Sequence, residues 1–66
     1  MSLQITFEDF EKMIDKECLK RTGLSLKDFP TIWAEDFWPD PSLDVINIHD
    51  AKEAMEACLE SAIDTL

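Results

Sequence analysis

"GLSLKDFPTIWAEDFWPDP", Gly23 to Pro41, holds four of the chain's six aromatic residues and all three of its prolines. Ser25 and Asp28 are placed to cap a turn that starts at Leu26. Pro30 cannot donate to the Leu26 carbonyl, and its ring would clash there. The pattern therefore predicts one short turn over Leu26–Phe29. A second short helix follows, with Pro30 in its first turn. It carries Ile32, Trp33, Phe37 and Trp38 and stops before Pro39, where Pro-Asp-Pro bars continuation. On a continuous axis Leu26, Phe29, Trp33 and Phe37 share one side. They are expected to form an aromatic plug that neighbouring helices close over. Trp38 lies off that side.

Helices are expected on both flanks. Upstream, the Thr6 hydroxyl can cap a first helix, and Asp9 stands in the capping-box position. Glu8 and Asp9 suit the positive end of the helix dipole, and Lys20 and Arg21 the negative end. Phe7, Phe10, Ile14 and Cys18 recur at helical spacing on one face, flanked by Met13. Gly23 reads as the left-handed residue that ends the helix, with a Leu19–Leu24 contact closing it. Downstream, Asp50 and Glu53 read as the capping box of a last helix. Its apolar face is Ala51, Met55, Cys58, Leu59, Ala62 and Leu66. Between them, "SLDVINIH" (42–49) holds no single period; it is expected to be an extended connector, with a short edge strand as the alternative. The expected fold is therefore all-α: a single small domain over 1–66, with two main amphipathic helices, a short aromatic-rich helix and an extended connector.

Composition narrows the function. Fifteen acids against six bases give a net charge of −9. Such a chain is repelled by nucleic-acid phosphates and anionic membranes, so direct binding to either is not expected. A basic or apolar protein surface is the natural partner. No apolar run approaches the roughly 20 residues that span a bilayer, and no signal-peptide pattern is visible. The sequence points to a cytoplasmic protein. Two cysteines and one histidine cannot complete a Cys/His zinc site, so no metal is expected. Cys18 and Cys58 both project from apolar faces and read as buried thiols, with an inter-helix disulfide as the other option. No Gly-rich phosphate loop or nucleophile motif is present. Neither a cofactor nor an enzymatic activity is expected.

Candidate binding residues fall in two places. Trp38 with Pro39 forms one, because a tryptophan at a rim is a common interface anchor. The acidic row Glu53, Glu56, Glu60 and Asp64 on the last helix forms the other. Such a row is commonly only the solvated side of a helix. It also has the spacing of a docking strip or a mimic of phosphates. Lys12, Lys16 and Lys20 form a complementary ridge on the first helix. Residues 1–22 carry 4 bases and 5 acids, whereas 23–66 carry 2 and 10. Ridge and row could meet between two copies, which makes a homodimer one candidate assembly. Glu17 and Arg21, four apart, can pair with each other. His49 reads as a boundary residue.

"RTGLSLKDFP", a tryptophan-containing segment and the closing "DAKEAMEACLESA" together resemble a loose group of small acidic proteins of bacteria and their phages. The shared pattern is a first helix, a Gly-x-Ser-x-x-Asp-Leu/Phe-Pro turn, aromatics and a final amphipathic helix. Here "PDPSLDVINIHD" replaces the group's shorter Gly-x-Ser-Pro turn. The group has no established activity, so the resemblance implies a fold and no catalytic or ligand residues.

Two functional classes follow. One is a non-enzymatic protein–protein interaction module, either dimeric or docking another protein. The other is an acidic inhibitor that imitates nucleic acid to block a basic cleft. Salt separates them: the imitator loses binding steeply as salt rises.

Overall fold

A computed structural model describes residues 3–66. Chain order is β1 (Gln4–Thr6), α1 (Phe7–Thr22), two 3-10 turns η1 (Leu26–Asp28) and η2 (Ala34–Phe37), β2 (Val45–Asn47) and α2 (Ile48–Asp64). The protein is mostly helical but not purely α. The expected all-α class is corrected by a two-stranded antiparallel sheet, in which Gln4 faces Asn47, Ile5 faces Ile46 and Thr6 faces Val45.

Local chemistry sets the start and end of α1. Asp9 N–H donates to the Thr6 hydroxyl at 3.2 Å, satisfying one of the free donors of the first turn. At the other end Gly23 adopts φ +78°, and its N–H reaches the Leu19 carbonyl at 2.9 Å. Only glycine takes that conformation without Cβ strain. Leu19 and Leu24 both remain exposed, so the expected closing contact does not cover them. The Thr22 hydroxyl finishes the helix end by donating to the Cys18 carbonyl and accepting the Leu24 N–H.

The segment that follows departs from the expected second helix. Pro30 is not in a helical first turn. Ile32 N–H donates to the Phe29 carbonyl, so Pro30 takes the first central position of a β-turn, which its fixed φ favours. Trp33 is then extended (φ −122°, ψ 129°) and precedes the single turn Ala34–Phe37. Breaking the axis there rotates Trp33 out of the plug. Leu26 and Phe29 are buried as expected, Phe37 is half-buried, and Trp33 is 59% exposed.

The connector takes its strand alternative at 45–47, buries Ile46, and runs straight into α2. Asn47, not Asp50, caps that helix: its side-chain oxygen accepts the His49 N–H at 2.7 Å. The Ile48 N–H is held by the Leu3 carbonyl. Strand pairing thus fixes the helix start three residues earlier than the Asp50 box suggests.

The buried cluster joins Phe10, Ile14 and Cys18 of α1 to Ala51, Met55, Cys58, Leu59 and Ala62 of α2, with Leu26, Phe29, Ala34 and Ile46 completing it. Leu66, expected on that face, lies beyond the end of α2 and is exposed. Area removed from water at roughly 25 cal/mol per Å² is the main stabilising term in such a core.

Candidate functional site

Two tryptophans five residues apart receive opposite settings. Trp38 turns inward. Its ring meets Phe7 edge-on at 5.3 Å and 87°, and Phe10 at 5.3 Å and 61°. Its indole N–H donates to the Leu43 carbonyl at 3.2 Å, so both the apolar body and the polar tip are occupied. Pro39 beside it is exposed, and Trp38 borders an open hollow of about 300 Å³ with Phe7, Pro41 and Leu43. The loop below is fixed by Asp40, whose Oδ1 accepts the Ser42 N–H and hydroxyl. The Ser42 side chain, then its backbone N–H, hold the Asp40 carboxyl below its usual range.

Trp33 turns outward, at the edge of a larger cleft of about 360 Å³. One wall is the N-terminal half of α1, with Glu8, Glu11, Lys12 and Asp15; the floor and far wall are Leu26, Phe29, Ile32 and Ala34. Asp15 Oδ1 accepts the Leu26 N–H at 2.8 Å, tying η1 to α1. The Asp28 carboxylate accepts the Ser25 N–H at 3.1 Å and keeps that turn closed. Leu26 and Phe29 then face the core and present only their edges to the cleft. Lys12 sits 3.6 Å from Glu8. Glu11 has no ion-pair or hydrogen-bond partner among the described residues. Trp33 was not singled out as a binding residue in the sequence. The available signal was Thr31-Ile32-Trp33 after Pro30: β-branched residues lose χ1 freedom in a helix, so this run favours an extended exit from the turn.

The acidic row does not line this cleft. Glu53, Glu56, Glu60 and Asp64 are all exposed on α2. Glu53 approaches His49 at 3.8 Å. Glu56 is claimed by the other helix, for Arg21 makes a two-pronged contact with it: Nη1–Oε2 at 2.9 Å and Nη2–Oε1 at 2.7 Å. The expected Glu17–Arg21 pair also forms, at 3.1 Å. One guanidinium therefore clamps two helices, and the row is neutralised at its second member. Of the lysine ridge, Lys12 is taken by Glu8, while Lys16 and Lys20 stay exposed.

The clamp makes a pH signature. The hydrogen bonds that Arg21 donates hold the Glu56 carboxyl below its ordinary value of 4.5, and by accepting them Glu56 raises Arg21 further. A depressed acid stabilises the fold above its unfolded value and loses that contribution as pH falls through the folded one. Glu56→Gln is expected to lower the urea midpoint slightly at pH 7. The gap to the native protein closes as the pH falls below 4.5. A pH-independent gap would contradict this. The effect is small because both groups are exposed.

Cys18 and Cys58 are both buried and free. Burial, with Cys18 adding to it, pushes the Cys58 thiol up to about 11, which leaves it protonated and inert at neutral pH. No group of three or more His, Cys, Asp or Glu among the described residues is arranged to hold a metal ion. Among the described residues no helix is long and apolar enough to cross a membrane. Comparison with known protein families, with curated proteins and with solved structures finds no match.

Proposed function

We propose that this protein is a non-enzymatic interaction module that docks a partner protein at the Trp33 cleft. The observation that carries the reading is the outward Trp33 ring beside an apolar floor, in a chain too small to spare a tryptophan from its core. Exposed tryptophans at concave apolar sites are the usual anchors of interfaces. The cleft carboxylates have structural or solvent-facing roles: Asp15 holds Leu26, and Glu8 faces Lys12. They are not set as an acid–base pair. Trp38 and Pro39 are not among the residues that line this cleft; Trp38 borders a separate hollow. Glu53, Glu60 and Asp64 add negative potential that draws a basic partner. Imitation of nucleic acid is less well supported, because Arg21 neutralises Glu56 within the row.

The test is selection of binders from a random nonapeptide library displayed on phage, with the Trp33→Ala protein for counter-selection. Binders that require Trp33 are expected. A library that yields none, or only binders indifferent to the substitution, would overturn the reading. Trp33→Ala leaves the fold intact in this account, which circular dichroism checks.

A further inference from the structure

Charge at the cleft is uneven in a way that names a partner chemistry. Three carboxylates (Glu8, Glu11 and Asp15) stand against two ammonium groups, Lys12 and Lys27. Lys12 is already matched by Glu8 at 3.6 Å. One oxygen of Asp15 accepts the Leu26 N–H. Glu11 remains without a cation partner among the described residues. The chain around them carries −9 in total, which draws a cationic partner and opposes close approach of a second copy.

Trp33 adds a second selector. A tryptophan face is the best aromatic partner for a cation. A guanidinium can lie flat on it and still reach a carboxylate with its edge donors, which an ammonium cannot do. The floor from Leu26, Phe29 and Ile32 is apolar and gains from an aliphatic neighbour.

Resting on the docking role proposed above, we infer that the cleft takes a peptide segment in which an arginine stands beside an aliphatic residue. The guanidinium stacks on Trp33 and pairs with Glu11. The aliphatic side chain lies against Phe29 and Ile32. Lys27 sets the limit of the acidic region and disfavours a second cation on its side.

The same library tests this through the composition of its Trp33-dependent binders. They are expected to carry arginine next to Leu, Ile, Val or Met. In a synthetic version of the best binder, replacing that arginine with its neutral isostere citrulline should weaken binding about tenfold. Glu11→Gln should weaken it about threefold and reduce its dependence on salt. Trp33-dependent binders that are neutral or acidic would overturn the arginine inference and leave the docking role standing. Absence of any Trp33-dependent binder would overturn the docking role itself. Sedimentation of the protein alone should show monomer; a dimer that Trp33→Ala dissolves would make a second copy the occupant and overturn the inference.

Discussion

Phe10→Ala is expected to leave the protein largely unfolded at 25 °C. The ring is fully buried and stands between Phe7, at 6.2 Å, and Trp38, at 5.3 Å. It is the fully buried member of an aromatic cluster with Phe7 and the inward tryptophan. Removing a buried Phe typically costs about 3–5 kcal/mol, through lost transfer energy and the cavity left behind. A core of this size rarely supplies more than about 3–5 kcal/mol of net stability. The cost is therefore comparable to the whole. Far-UV circular dichroism during urea titration checks it: the helical signal of the variant should already be low without denaturant. A cooperative transition with a midpoint near that of the native protein would contradict the placement of Phe10.

Leu59→Ala carries the second large effect. Leu59 is fully buried on the face of α2 that meets α1, so its truncation should cost about 2–5 kcal/mol. Ile63, one turn further on, is 42% exposed. Ile63→Ala, a similar loss of carbon, should stay within about 0.5 kcal/mol. The urea midpoint should drop sharply for the first and hardly move for the second, with similar slopes for both. Equal shifts would mean that α2 presents a different face to the core.

Much of this fold could be read in the sequence because its signals are local. The Thr6 cap, the Phe10–Ile14–Cys18 stripe and the Gly23 stop lie within one helix. So does the Ala51–Met55–Cys58–Leu59–Ala62 face. What escaped depends on residues far apart in the chain. Strands of three residues are too short to show alternation, and Gln4–Thr6 becomes a strand only because Val45–Asn47 lies beside it. Asn47 and Asp50 are both good caps; the bond from Ile48 N–H to the Leu3 carbonyl favours the earlier one. Glu56 looked like one member of an open acidic row, because its partner Arg21 lies 35 residues away. The candidate site was missed for a related reason. One proline has two common uses, as a first-turn residue of a helix or as the corner of a β-turn, and the choice decides whether Trp33 or Trp38 faces inward.

That choice of tryptophan is the point on which the cleft, its occupant and the packing around Phe10 all depend. Acrylamide quenching of fluorescence in two single-tryptophan variants, Trp38→Phe and Trp33→Phe, reads it directly. The quencher is neutral, so the protein's charge does not bias its approach. Trp33, alone in the first variant, should emit at longer wavelength and be quenched readily; Trp38, alone in the second, should emit at shorter wavelength and be shielded. The reverse order, or equal quenching of the two, would contradict the account.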